Sequence, residues 1–256
     1  MARVLTLDIE TQRAVVEVFD LWPKYISIDQ VKVPTRILCF AAKWNDEDDV
    51  IFSCAWDDDD EVSYRAMVET AWELFTEADV IVTWNGNRFD LQYFEAEFCR
   101  LGFGPPAPYR SIDLFALAKK KFARGLMSLK LDWSARTILK DRKVKHEGRD
   151  LWDDIRYGSK KEKLAAQKKM REYNIHDTVL TDRLFDKFLP WIGGNLAIYD
   201  EENADRAVCP KCESPKLHKR GRFFTTAFAY QRYRCKDCGA WSRGRKMIYT
   251  TELRPC

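Results

Sequence analysis

No stretch of the chain approaches the ~20 consecutive apolar residues that a membrane span requires. The opening residues, MARVLTLDIET, run straight into a strand-like pattern without the profile of a secretion signal. A cytoplasmic protein with no membrane partner is therefore expected. Internal repeats and low-complexity tracts are also lacking, which sets aside solenoids and biased linkers. Disorder is excluded by what is present: 46% hydrophobic residues with 9 Trp, 10 Tyr and 15 Phe supply a packed core. A length of 256 residues suits one large domain with a small appendage.

The net charge of +3 conceals a sharp division. From Cys209 to the end there are 12 Lys or Arg against 3 Asp or Glu, a charge of +9 that leaves −6 for residues 1–208. A basic tail on an acidic body points to a polyanion partner for the tail and a cation site in the body. Four of the 8 cysteines form two C-x-x-C pairs, which a cytosolic chain uses as metal ligands rather than disulfides. Cys39, Cys54, Cys99 and Cys256 fit neither pair; three of the four lie among apolar residues and are expected to be small buried hydrophobes.

Val4–Asp8, Ile37–Trp44 and Val50–Trp56 read as consecutive strands of an antiparallel meander. The pattern then alternates. A helix is expected over Asp60–Ala78, a buried strand over Val80–Trp84 and a helix over Leu91–Leu101. A short strand over Tyr109–Asp113 follows, then helices near Leu114–Phe122 and Ser128–Leu139 and a long helix over Lys160–Leu189, stopped by Pro190. Three strands followed by α/β units are satisfied by an α/β fold of ribonuclease H-like type, a mixed five-stranded sheet with helices on both faces. The expected boundaries are 1–199 for this domain, 200–208 for a polar linker and 209–256 for a small β module.

Asp8 and Glu10 close the first strand, and alternation puts both on one face, one pleat apart. Such a pair is either a solvated strand end or a cation site, because adjacent carboxylates repel. Asp90, in Asn85-Gly-Asn-Arg-Phe-Asp90, starts a helix, where capping is an alternative role. Tyr173 and Asp177 stand four apart on the long helix and share a face, a spacing that also suits a core tyrosine. In their order and intervals these three motifs resemble those of the DEDD, or DnaQ-like, exonucleases of the tyrosine-bearing branch. The likeness covers roughly residues 1–190 and is nearest to the proofreading domains of family-B DNA polymerases.

The resemblance implies a 3'-5' exonuclease in which Asp8, Glu10, Asp90 and Asp177 hold two Mg²⁺ or Mn²⁺ ions. Asp8 would bridge them and Tyr173 would orient the attacking water. Hard oxygen ligands suit those ions over zinc, and two of them activate the water and neutralise charge at the phosphate. A phenol ordinarily titrates near ~10, so Tyr173 is a poor base and the metals must acidify the water. Asn85 and Phe89 are expected to flank the terminal nucleotide, by hydrogen bonding and by stacking. Asp113 is read as a helix cap and left out of the catalytic set.

Cys209-Pro-Lys-Cys212 and Cys235-Lys-Asp-Cys238 are two knuckles 22 residues apart, each able to present two thiolates to one structural Zn²⁺. The segment between them, Arg222–Arg234, reads as a β-hairpin arm. Six aromatics, Phe223, Phe224, Phe228, Tyr230, Tyr233 and Trp241, interleave with arginines that include Arg222, Arg232 and Arg234. That make-up stacks bases and neutralises phosphates, although a module this small is expected to place several aromatics in its core. The segment is similar to zinc ribbons attached to transposases and other DNA-handling proteins. Nucleic acid is the expected partner, DNA favoured over RNA, and trimming of 3' ends in DNA repair is one setting. The rivals are a 3'-5' exoribonuclease, a ribonuclease H-like transposase or resolvase, and a catalytically inactive nucleic-acid-binding protein.

Overall fold

The computed structural model describes residues 2–141, 150–196 and 206–252. Residues 200–205, and with them most of the expected linker, lie outside the described residues. The chain divides into two compact units, Arg3–Leu184 and a second made of the chain from Phe185 onward together with its first two residues.

In the larger unit β1 (Val4–Gln12), β2 (Val15–Val16), β3 (Val31–Val33), β4 (Arg36–Trp44) and β5 (Val50–Cys54) come first. Then follow α1 (Glu61–Glu77), β6 (Val80–Thr83), α2 (Asp90–Arg100), β7 (Arg110–Asp113), α3 (Leu114–Leu126), α4 (Leu131–Ile138), α5 (Asp150–Tyr157) and α6 (Lys160–Phe188). The five-stranded sheet has the order β5-β4-β1-β6-β7. β1, β4 and β5 pair antiparallel, whereas β6 and β7 run parallel to β1. This is the mixed ribonuclease H-like sheet expected from the order of the segments.

Alternation along β1 divides its side chains between two environments. Leu5, Leu7 and Ile9 join the main core with Phe40, Ala42 and Trp44 of β4 and the apolar faces of α1 and α2, including Met67, Phe75, Leu91 and Phe94. Thr6, Asp8 and Glu10 point the other way, towards the side where α5 and α6 pack over Leu38 and Cys39. α1 starts where the Asp60 carboxylate caps the Ser63 amide at 2.9 Å.

α6 is locked in register by one buried polar cluster. Asp182 accepts from Lys43 Nζ at 2.8 Å, Asn45 Nδ2 at 2.9 Å and Thr6 Oγ1 at 3.2 Å, tying the helix to β1, β4 and the turn after β4. Each donor lost would leave a buried carboxylate short of a partner, so the helix cannot slide by a turn.

Two expectations require correction. Cys39 is buried and Cys54 half-buried, but Cys99 lies exposed on the outer face of α2. In the small module the expected hairpin is present as β8 (Leu217–Phe224) and β9 (Phe228–Cys235), and β10 (Trp241–Thr250) completes a three-stranded antiparallel sheet in the order β10-β9-β8. Its core cluster holds Cys209, Cys235 and Ala240, with Cys212, Leu217 and Cys238 against it. None of the six aromatics joins that cluster, and Phe223, Phe224 and Trp241 are exposed.

Candidate functional site

The site forms where β1 outruns its neighbour. Parallel pairing with β6 ends at Thr6, so the same edge of β1 beyond it is open. Asp90, the first residue of α2, fills the opening: its Oδ1 accepts the Ile9 amide at 3.0 Å, between Asp8 and Glu10. On the other edge β4 pairs past this point, with a register shift at Glu10/Thr11, a local irregularity of the kind that re-aims side chains.

The turn from β6 to α2 is built for close approach. Asn85 adopts a left-handed φ of 72° and its amide donates to Asp113 Oδ1 at 3.0 Å. Gly86 packs against Thr83 so closely that a Cβ would stand 2.4 Å from the Thr83 side chain, which only glycine avoids. Asp113 also caps α3 through the Ala116 amide at 3.1 Å, the capping role read from the sequence. Phe89 is exposed beside Asp90, its ring edge-on to Tyr93 at 5.0 Å.

From the opposite side α6 contributes Tyr173, Asn174 and Asp177. Ligand oxygens of Asp8, Glu10 and Asp177 all lie within 4.8 Å of one another. With an effective dielectric of ~20, each fully charged pair at that distance repels by ~3 kcal/mol. Three such carboxylates call for a cation or for protons, and an all-oxygen donor set fits a hard divalent ion. Asp90 stands outside this group of three and meets it through the Ile9 amide. Burial raises the Asp90 carboxyl to about 7, with Asp113 adding to the rise and the Ile9 amide opposing it. Tyr173 is buried in the cluster with Met170, Leu151 and Cys39, and Cys39 is the cross-strand neighbour of Glu10.

Sequence reasoning missed Asn174. Fully buried, it donates from Nδ2 to Asp8 Oδ2 at 2.8 Å and to the Asp8 carbonyl at 3.1 Å. Its only signal was position: three residues before Asp177, it shares that helical face. α5 was also missed; Trp152 Nε1 donates to Thr11 O at 3.1 Å and Arg156 to Arg13 O at 2.8 Å, so this helix grips β1 just past the carboxylates.

The second site is in the small unit. Cys209, Cys212, Cys235 and Cys238 bring their sulfurs within 4.8 Å of one another. Cys209 Sγ stands 3.6 Å from Cys238 Sγ, and Cys212 Sγ 3.7 Å from Cys235 Sγ. Four sulfurs around zinc at ~2.3 Å define tetrahedron edges of ~3.8 Å, whereas a disulfide needs ~2.05 Å. The geometry therefore fits the metal. Burial pushes the Cys235 thiol up, but the Cys238 and Asp237 amides and the neighbouring thiols outweigh it and bring it to about 7. Arg222, Arg232 and Arg234 all lie on this module, exposed, each with its guanidinium over an aromatic ring: Arg222 over Tyr249, Arg232 and Arg234 over Trp241.

A mixed sheet with acidic residues gathered at the end of its central strand marks the ribonuclease H-like class. Residues 31–189 match the RNase_H_2 family of the RNase_H superfamily, and the chain belongs to that superfamily. The match takes in Asp90, Tyr173 and Asp177 and begins after Asp8 and Glu10. Among solved structures the chain is similar in fold to the family B DNA polymerase from the hyperthermophilic archaeon Pyrobaculum calidifontis, with a TM-score of 0.53 and 21% identity. That likeness covers 75% of this chain and only 25% of the polymerase. No curated protein matches. Among the described residues no helix is long and apolar enough to cross a membrane.

Proposed function

We propose that this chain is a metal-dependent 3'-5' exonuclease that removes nucleotides from DNA, with Asp8, Glu10, Asp90, Tyr173 and Asp177 as its catalytic set. The observation that carries the reading is the convergence of Asp8, Glu10 and Asp177, from two elements far apart in sequence, within 4.8 Å. Asp90 supports it from the adjoining strand edge, because its carboxylate is held against the backbone between Asp8 and Glu10.

Asp8, Glu10 and Asp177 would hold two Mg²⁺ or Mn²⁺ ions, with Asp90 nearby. When bound, the ions supply a hydroxide at neutral pH and neutralise charge on the phosphate. The protein's own residues do the rest. Asn174 fixes one oxygen of Asp8 and so orients that carboxylate. Asn85 and the exposed ring of Phe89, at the entrance beside Asp90, suit the terminal nucleotide, and the buried Tyr173 orients the water from the α6 side. Residues 209–256 would act as a zinc ribbon that retains nucleic acid, joined through a linker at 200–208 to a catalytic domain over 1–199. Preference for DNA rests on the likeness of the Asn85–Asp90 segment to polymerase proofreading domains.

The test uses 5'-labelled single-stranded DNA and RNA oligonucleotides with Mg²⁺ or Mn²⁺. A DNA ladder shortening from the 3' end, reduced roughly a thousandfold or more in Asp8→Ala, is the expected result. Cleavage of RNA alone would make the chain an exoribonuclease. Intact oligonucleotides under both ions would leave only a binding protein.

A further inference from the structure

On the small unit three cationic side chains and a histidine converge on one pocket. The pocket, of about 440 Å³, is lined by His218 and Arg220 of β8, Arg234 of β9 and the second knuckle from Cys235 to Gly239, whose two cysteines belong to the four-sulfur cluster. Its one carboxylate, Asp237, is already engaged, accepting from Ser214 Oγ at 2.7 Å and pairing with Lys216 at 3.3 Å. Among the described residues the ion pairs of this unit include none for Arg220, Arg234 or Lys236. Three cations on one face whose neighbouring carboxylate is engaged elsewhere repel one another, and a bound anion relieves that cost.

Strand register places an aromatic beside them. His218 is the direct partner of Arg234, and Arg234 of Trp241, so the three form one row across the sheet on a single face. Trp241 is half exposed, and the Arg234 guanidinium lies 5.9 Å from its ring centroid. The next row repeats the pairing: Arg232 opposes Arg243, whose guanidinium sits 4.0 Å from the Tyr230 centroid. Lys219, opposite Tyr233, faces the other side.

We propose that this pocket binds one phosphodiester group of a nucleic-acid strand, held by Arg220, Arg234, His218 and Lys236, with the adjoining base laid against Trp241. It deepens the reading of the chain as a nucleic-acid-processing enzyme by fixing where on the small unit the strand is held. A guanidinium pair offers the forked donors that a phosphate accepts, and a tryptophan face receives any base, so the site is indifferent to sequence.

The experiment measures binding of the full zinc-loaded chain to a fluorescein-labelled twelve-nucleotide oligo(dT) by anisotropy, with magnesium and manganese withheld, across a range of salt. Arg220→Gln with Arg234→Gln is expected to weaken binding at least tenfold and to lower the slope of log K against log salt by about 0.7, one phosphate contact on a single strand. Trp241→Ala should weaken binding about tenfold with the slope unchanged. Lys219→Gln, on the opposite face, should match the parent. Zinc content reports whether the ribbon is intact; if the double variant loses zinc, His218→Gln alone must still weaken binding two- to threefold. Parent-like binding by zinc-loaded pocket variants would overturn the proposal. So would equal affinity for a polyglutamate peptide lost through the same substitutions, which would mark the pocket as a protein-docking site. Hydrolysis of thymidine 5'-p-nitrophenyl phosphate by the unsubstituted chain reads the carboxylate site separately. Its absence would bring down the exonuclease reading and leave the pocket standing.

Discussion

The two units of this chain gather metal-ligating side chains by opposite routes. In the larger unit, oxygens from β1 and α6, more than 160 residues apart, are brought together on a sheet whose core exists without them. In the small unit, four sulfurs from two tight turns are themselves the core, with Ala240 and Leu217 as their main apolar company. A metal would therefore be an addition to one fold and a component of the other. The donors follow the same division: hard oxygens suit an exchangeable divalent ion and soft sulfurs a tightly held one.

The comparison is broken most severely at the thiolates. Cys235→Ser should abolish stoichiometric zinc and unfold residues 209–252, made visible by rapid proteolysis of that segment, while the larger unit keeps its melting transition. If the small unit stays protease-resistant without zinc, its strands carry more of the stability than its small core suggests.

A smaller effect is expected from the polar cluster that fixes α6. Asp182→Ala leaves Lys43 buried without its carboxylate, and removing one partner of a buried pair typically costs about 3–5 kcal/mol. Urea unfolding of the larger unit should show that loss. A change below about 1 kcal/mol would mean that α6 is held by its apolar contacts alone.

The smallest effect concerns charge at the site. Asp90 has its carboxyl raised to about 7 from the ordinary aspartate value of 3.8. The folded state therefore holds this proton more tightly than the unfolded chain does. Its contribution to stability is full below the unfolded value and is lost as pH rises to about 7. Asp90→Asn keeps an acceptor for the Ile9 amide and removes the charge. With zinc bound and magnesium withheld, it should match the parent at about pH 4 and exceed it by about 2–4 kcal/mol at about pH 8. An equal difference at both pH values would show that packing, not charge, sets the cost.

Legibility in the sequence followed range. The Asp8–Glu10 pair could be read because alternation along one strand is a local rule, and β1 obeys it, with Leu5, Leu7 and Ile9 in the core and the carboxylates on the reverse. Asn174 could not be singled out, since an asparagine inside a helix carries no mark of the strand it will meet. β10 was missed because Gly244 and the charged run Arg243–Lys246 interrupt its apolar alternation, and only pairing with β9 makes it a strand. The short α5 gave no signal either; its place is set by hydrogen bonds to Thr11 and Arg13 on a distant strand.

By itself the sequence determined the strands and helices of the central sheet and their order, the face of β1 that carries acid, and the four-cysteine module, because periodicity, charge and C-x-x-C turns act over a few residues. Tertiary structure decided the rest. It chose Asp8, Glu10 and Asp177 as the three that meet, set Asp90 on the Ile9 amide where β6 stops, and gave Asp8 its Asn174 partner. It also left Phe223, Phe224 and Trp241 of the small unit exposed and gathered three of its cations and His218 around one pocket. Those outcomes depend on which strand edge is left open and which helix face is covered, and both are settled only when segments distant in sequence pack together.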